Sequence, residues 1–85
     1  MSFRILLAPK SQKFLDKLKN KEDKNRIEKK LKDLMINPEL GKPLTGKLAG
    51  LWSLRFGKFR ALYQIRKSEL LVLILKLGHR KNVYD

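Results

Sequence analysis

The stretch that decides the fold is WSLRFGKFRALYQIRKSELLVLILKLGH, residues 52–79. Apolar residues alternate with polar ones from Trp52 to Phe56 and again from Phe59 to Arg66, with Gly57 and Lys58 between the two runs. Alternation with a period of two is typical of strands that bury one face. The run 70–77 is almost wholly apolar and follows the turn signal KSE, which indicates a central strand covered on both faces. The stretch therefore predicts three consecutive antiparallel strands.

The residues before this stretch have helical spacing. Apolar residues recur at helical spacing within 10–19, where Asn20 is the expected stop, and a second helix is expected to end at Asn37 and Pro38. The segment 38–50 carries two of the three prolines and three of the five glycines, so it is predicted to be a loop. The residues that define the two apolar stripes are Phe14, Leu15 and Leu18 for the first helix and Ile27, Leu31, Leu34 and Met35 for the second.

Residues 1–8 form a short apolar stretch closed by Pro9, which predicts a strand ahead of the first helix. The whole chain then has the order β-α-α-β-β-β. We expect an α+β fold, a small antiparallel sheet with both helices packed on one face and the other face partly open, in a single domain over residues 1–85.

Composition narrows the classes of function. The 21 Lys and Arg exceed the 8 Asp and Glu by 13 in only 85 residues, and such a charge favours a polyanionic partner. A solvated, lysine-rich surface without such a partner is the plain alternative. With no Cys and one His we expect no disulfides, no metal site and no cofactor. No apolar run is long enough to cross a membrane and no secretory signal is evident, so we expect a cytoplasmic protein without membrane contact.

The candidate functional residues follow or flank the predicted strands. Arg55 and Arg60 belong to the face opposite the alternating apolar residues, and Arg80 follows the last strand, so the three arginines are expected to converge on the open face. Arginine stays charged, and its fork holds two phosphate oxygens at once. Such a cluster suits RNA transesterification, in which the substrate supplies its own 2′-hydroxyl nucleophile. His79 or Tyr84 would serve in proton transfer.

Each candidate also has a structural interpretation. Arg60 is equally expected on the solvent side of a strand, His79 is expected more often as a strand cap, and Tyr84 is able to pack its ring on the sheet. Trp52 shares a face with Leu54 and is expected in the core.

Two segments resemble the RelE/ParE toxin family. They are PLTGKLAGLWSLRFGKFRALYQI (43–65) and LLVLILKLGHRKNVYD (70–85), which match a pattern of Leu-x-Gly, Trp/Tyr-x-x-Arg, Arg-hydrophobic-x-Tyr, Gly-x-Arg and a final Tyr in order and spacing. The resemblance implies a ribosome-dependent endonuclease that cuts mRNA codons in the A site by 2′-hydroxyl attack. It also implies neutralisation by a RelB-like antitoxin wrapped around the toxin.

Carried over by position, the resemblance implies that Arg60 contacts the scissile phosphate and that Arg80 and Tyr84 are the C-terminal arginine and tyrosine of the site. Arg55 falls on a common basic position. The chain departs from the family at Leu51 and Ser53, where better-known members have two lysines that serve as base and charge stabiliser.

His79 is the expected replacement for these lysines, and Lys47, Lys58 and Lys81 are further basic residues expected to contact RNA. Two other functions stay open: a ParE-like inhibitor of DNA gyrase, and a basic module that binds RNA or the ribosome without catalysis.

Overall fold

The computed structural model describes residues 2–81 and 83 of the chain. Its helices and strands are β1 (Arg4–Leu7), α1 (Pro9–Lys17), α2 (Lys21–Ile36), β2 (Lys42–Pro43), β3 (Trp52–Phe56), β4 (Phe59–Arg66) and β5 (Leu71–His79). The predicted α+β class is confirmed, as are the two helices after the first strand and the three long strands that follow. The two-residue strand β2 was not predicted, because the prolines and glycines of 38–50 indicate a loop and a proline is compatible only with the edge of a sheet.

The five strands form one sheet in the order β1-β5-β4-β3-β2. The pairs β5-β4 and β4-β3 are antiparallel, as expected, and the unpredicted strand β2 also pairs antiparallel with β3. In contrast, β1 runs parallel to β5, with Arg4 opposite Leu71. The sheet is therefore mixed rather than wholly antiparallel. A parallel pair requires a long crossover, and the two helices and the β2-β3-β4 strands between β1 and β5 supply it.

Helix α2 begins after Asn20, a residue whose role at a helix terminus was expected but for the wrong helix. Asn20, expected to stop the first helix, instead caps the second: its side chain accepts hydrogen bonds from the backbone N–H groups of Glu22 and Asp23, at 2.9 and 3.1 Å. Asparagine is a preferred N-cap, and the two acidic residues in the first turn favour the positive end of the helix dipole. Helix α1 has already ended three residues earlier, at Lys17.

Both helices pack against one face of the sheet and form a single hydrophobic core. The helices contribute buried leucines and isoleucines, and the strands contribute alternate positions; the core residues are Leu15, Ile27, Leu31, Leu34, Leu54, Phe56, Phe59, Ala61, Tyr63, Val72, Ile74 and Leu77. Trp52 packs against this core, with its ring 6.3 Å from that of Tyr63, as expected for a core residue. Ser11 is the buried polar residue of α1, and its hydroxyl donates to the carbonyl of Ile74 at 3.0 Å.

The opposite face, which we call the open face, carries the other alternate positions of the strands. Its members in β3 and β4 include Ser53, Arg55, Arg60 and Gln64, and these range from exposed to half-buried. Only a shift in register beside Leu62 interrupts the pairing of β4 with β5. Within the described residues, no helix is both long and apolar enough to span a bilayer.

Candidate nucleic-acid site on the open face

Arg55 and Arg60 lie directly opposite each other in the β3-β4 hairpin. Cross-strand partners project from the same face of a sheet, so both arginines belong to the open face. On the other side of Arg60, its partner in β5 is Gly78, which has no side chain. The row Arg55, Arg60, Gly78 therefore sets the two arginines in line with a position that has no side chain.

Val83, after β5, packs over Gly78 and contacts Arg60. The Nη1 of Arg60 donates to the backbone carbonyl of Val83 at 3.3 Å, and the N–H of Val83 donates to the carbonyl of His79 at 3.1 Å. A Cβ at Gly78 would lie 3.1 Å from the Cγ2 of Val83, so glycine leaves room for the buried valine. The Arg60 side chain is half-buried and its Nε is shielded from solvent. Its guanidinium is thus held in place rather than free to swing.

A cleft of about 460 Å³ opens beside the two arginines, and we call it the arginine cleft. Its polar lining comes from Lys42, Ser53, Arg55 and Arg60, and the segment from Leu40 to Leu44 forms one wall. Among residues 2–81 and 83, three cations and no carboxylate line this space. An open, cationic cleft suits the phosphate backbone of a single-stranded nucleic acid.

A second groove of about 460 Å³ lies between α2 and the β3-β4 turn. Its basic lining residues are Arg26, Lys29, Lys30 and Arg55, with Asp33 as the acidic member. Arg55 lines both spaces, so the positive charge of the arginine cleft continues onto α2.

The tyrosine of the hairpin, Tyr63, anchors the wall of the arginine cleft. Its hydroxyl donates to the carbonyl of Pro38 at 2.7 Å and accepts from the N–H of Gly41 at 3.0 Å. Burial raises the pKa of the Tyr63 phenol; the hydrogen bond from Gly41 lowers it and the nearby Glu39 carboxylate raises it, each by less. The neutral phenol therefore ties the loop before β2 to the centre of the sheet.

His79 lies on the other side of the sheet from Arg60. Its cross-strand partner is Phe59, a core residue, and its ring contacts those of Phe59 and Phe14 with centroids 5.4 and 5.8 Å apart. The structure therefore does not bring the imidazole together with the two arginines of the open face.

The remaining basic candidates, Lys58, Arg80 and Lys81, lie outside the arginine cleft. The ammonium of Lys58 is 3.0 Å from the Asp23 carboxylate and 5.6 Å from the centre of the Phe59 ring. Arg80 and Lys81 are exposed in the turn after β5, where the N–H of Arg80 donates to the carbonyl of Lys58 at 2.9 Å. Together with His79, these residues line a groove of about 320 Å³ at the end of the sheet.

Three further positions complete the set of predicted residues. Lys47 is exposed in the 3₁₀ turn Gly46–Leu48 and does not line the arginine cleft. Tyr84 lies outside the described residues. Of the two positions where the family has lysines, Ser53 lines the cleft whereas Leu51 does not.

Two residues of this region were not predicted: Lys42, which lines the cleft, and Tyr63, which holds the loop that forms its wall. Lys42 occurs in a stretch that indicates only a loop, and Tyr63 has the alternation of a core residue, so neither has a local sequence signal for this site. The family pattern Arg-hydrophobic-x-Tyr, which ends at Tyr63, is the one signal that marked this tyrosine. Across residues 2–81 and 83, no group of three or more His, Cys, Asp or Glu side chains is arranged to hold a metal ion.

Comparison with known proteins identifies the family. The family model of the ParE toxin of type II toxin–antitoxin systems matches residues 5–84, nearly the whole chain. The chain therefore belongs to the RelE/ParE family, and it is a toxin of the type II class. Toxin RelG of Mycobacterium tuberculosis is 43% identical over 53 residues, which span 61% of this chain and 61% of RelG.

Solved structures share the fold over nearly the full length. The toxin–antitoxin complex RelBE2 of Mycobacterium tuberculosis matches with a TM-score of 0.85 and 30% identity, over 96% of this chain and 95% of that one. The archaeal RelE–RelB complex of Pyrococcus horikoshii matches with a TM-score of 0.75 and 26% identity, over 98% and 100%. The isolated E. coli RelE toxin, at 16% identity and a TM-score of 0.78 over 96% and 88%, shares the fold.

Proposed function

We propose that this toxin is a metal-independent endoribonuclease that cuts mRNA in the A site of the ribosome and so inhibits translation in the cytoplasm. The observation that carries the proposal is the Arg55–Arg60 pair on the open face, with the Arg60 guanidinium held by the Val83 carbonyl beside the arginine cleft. Preorganised cations stabilise the charge that develops on a phosphate during the reaction.

In the proposed reaction the 2′-oxygen of one nucleotide attacks the adjacent phosphorus, and the bond from phosphorus to the 5′-oxygen breaks. The 2′-hydroxyl loses its proton to a base and the departing 5′-oxygen gains one, which leaves a 2′,3′-cyclic phosphate and a 5′-hydroxyl. Arg60 contacts the non-bridging oxygens, and Arg55 and Arg80 add positive charge. We assign proton transfer to Tyr84 by the family resemblance, rather than to His79, whose ring packs on the helix face.

The experiment compares Arg60→Ala with Arg66→Ala on purified ribosomes that carry a defined mRNA. Arg66 is a matched control because it belongs to the same face of β4, about 20 Å further along the strand, and its guanidinium contacts Gln64 and Glu69. We expect A-site cleavage by the wild type and by Arg66→Ala and little or none by Arg60→Ala. A wild type that binds its antitoxin but leaves the mRNA intact would refute the proposal.

Two other functions are tested in parallel, one of them because the matching family model is that of a ParE toxin. Inhibition of DNA gyrase in a supercoiling assay, without cleavage of mRNA, would establish the ParE-like alternative. Binding to ribosomes or RNA that Arg60→Ala weakens, without cleavage by the wild type, would establish a non-catalytic RNA-binding module.

We further propose that a RelB-like, acidic antitoxin neutralises this toxin. The net charge of +13 supports an acidic partner, and the compared complexes from Mycobacterium tuberculosis and Pyrococcus horikoshii pair toxin with antitoxin. Electrostatic steering makes the association rate fall steeply with salt. An association rate that does not respond to ionic strength would contradict this account of the partner.

A further inference from the structure

Lys42 brings a positive charge close to Ser53, a position at which better-known family members have a lysine. In the register of β2 and β3, Lys42 lies directly opposite Ser53, so both side chains project from the open face. Arg55, two residues further along β3, is then a diagonal neighbour of Lys42, at a Cα distance of about 7–8 Å. Lys42, Ser53, Arg55 and Arg60 all line the arginine cleft.

Several other lysines of the chain form ion pairs with carboxylates, and Lys42 differs from them in this respect. Lys58 pairs with Asp23, and Lys67 pairs with Glu39 at 3.3 Å. Over residues 2–81 and 83 no carboxylate pairs with Lys42, which is exposed at the rim of the cleft. Its charge is therefore available to an anionic ligand.

The backbone that carries Lys42 is held from beneath. The Tyr63 hydroxyl bonds to the carbonyl of Pro38 and the N–H of Gly41, the residue just before Lys42. Gly41 packs so closely that an added Cβ would lie 2.5 Å from the Ser53 carbonyl oxygen. The loop thus meets the edge of the sheet in one position, and that position sets Lys42 across from Ser53.

We propose that Lys42 binds a phosphate of the RNA in the arginine cleft and supplies the positive charge that the family's lysine on β3 would otherwise supply. This inference rests on the proposed endonuclease function. The ammonium donates to a non-bridging oxygen and takes no part in proton transfer, and Tyr63 acts as its positioning residue. In this chain the lysine of the site therefore belongs to β2, the edge strand next to β3, rather than to β3 itself.

The direct test compares Lys42→Met with Lys42→Arg and with the control Lys13→Met. Lys13 is exposed on α1, which packs at the β1-β5 side of the sheet, far from β2, and its substitution removes the same charge and the same ammonium. We expect kcat/KM for cleavage to fall about ten- to a hundredfold in Lys42→Met, because a hydrogen bond to a charged group is lost. Lys13→Met should remain near wild type, and Lys42→Arg, which keeps a charged donor, should lose much less than Lys42→Met.

Binding is measured with an RNA whose 2′-hydroxyl at the scissile position is methylated, so that no cleavage is possible. We expect the plot of log affinity against log salt to be less steep by about 0.7 in Lys42→Met, since one phosphate contact to a single strand is lost. The Lys13→Met control should keep the wild-type slope. A thermal melt of Lys42→Met, expected to match the wild type, excludes unfolding as the cause.

The role of Tyr63 is tested by a double-mutant cycle. We expect the loss caused by Lys42→Met to shrink in a Tyr63→Phe background, whereas the loss caused by Arg60→Ala should not. A purely structural role for Tyr63 would lower stability and leave these two losses unchanged.

The outcomes separate the two proposals. If the wild type cleaves and Lys42→Met cleaves as fast as Lys13→Met, the Lys42 inference is wrong while the endonuclease function stands. If the wild type does not cleave, the endonuclease function is wrong, and Lys42 is then judged by the methylated RNA alone. Equal affinities and equal salt slopes for Lys42→Met and Lys13→Met would overturn the inference in that case.

Discussion

The guanidinium of Arg60 and the carbonyl of Val83 are joined by a hydrogen bond of 3.3 Å between residues 23 positions apart in sequence. This bond orients the arginine at the edge of the arginine cleft and fastens the chain after β5 to the open face. The guanidinium carries five N–H donors in a fixed fork, so this bond uses only part of its donor capacity. The Arg60 side chain therefore links β4 to Val83 beside the arginine cleft.

Arg60→Lys should keep the charge and lose the function. Lysine presents a compact ammonium rather than a planar fork, so it cannot hold the Val83 carbonyl and two phosphate oxygens together. We expect cleavage on the ribosome to slow by about a hundredfold or more. Binding of the methylated RNA should change far less, and cleavage near the wild-type rate would show that charge alone suffices.

Tyr63→Phe should destabilise the protein at neutral pH. The substitution removes both hydrogen bonds of the phenol and leaves the buried groups of Pro38 and Gly41 without that partner, at a cost of about 1–3 kcal/mol in the free energy of unfolding. Urea denaturation of the two proteins measures the difference. An unchanged midpoint would show that the loop is held by other contacts.

The same phenol predicts a pH dependence at the alkaline end. Burial raises the pKa of Tyr63 in the folded state, so the unfolded chain gives up this proton first. The stability that the neutral phenol contributes is fully present below pH about 10 and is lost as the pH rises through the raised folded-state pKa. Above pH about 10, the free energy of unfolding should fall more steeply in wild type than in Tyr63→Phe. Parallel curves for the two proteins would contradict this.

Gly41→Ala should disrupt the wall of the arginine cleft. The added Cβ would lie 2.5 Å from the Ser53 carbonyl oxygen and 2.8 Å from the Tyr63 hydroxyl, and the first of these is backbone in β3. We expect a loss of about 1–3 kcal/mol in stability, as in other overpacked sites. Lys42→Ala, which changes the next residue without adding an atom there, is the control and should unfold at nearly the wild-type urea concentration.

His79→Phe should preserve both stability and cleavage. The ring of His79 packs against Phe14 and Phe59, and phenylalanine is able to reproduce these contacts, whereas His79→Ala should cost about 1 kcal/mol. If His79 serves only in packing, its substitution should leave the pH profile of kcat/KM unchanged. Loss of one limb of that profile in His79→Phe would assign proton transfer to the imidazole after all.

The sequence predicted the parts of the fold that have a local cause. The strands from Trp52 to His79 follow from alternation, and α2 follows from its apolar stripe and its end at Asn37. The pairing of β1 with β5 and the existence of β2 follow from neither, because both depend on backbone hydrogen bonds between segments distant in sequence.

The site was predictable to the same extent. Alternation placed Arg55 and Arg60 on one face, and the hairpin register confirms it. The face of His79 was not predictable, because a strand's last residue turns to either side according to its register with β4. Lys42 could be found only from the register of β2 with β3, which the short segment Lys42–Pro43 after Gly41 does not reveal.

The parallel pairing of β1 with β5 also bears on how this toxin is made. Arg4 finds its partner in Leu71, 71 − 4 = 67 residues later, and β4 cannot be flanked on both sides before β5 exists. Contacts so distant in sequence form slowly and late. During synthesis, β1 and the two helices therefore cannot pack on a complete sheet until β5 has emerged. The arginines of the hairpin thus acquire a rigid setting only after β5 has been synthesised and has paired with β4.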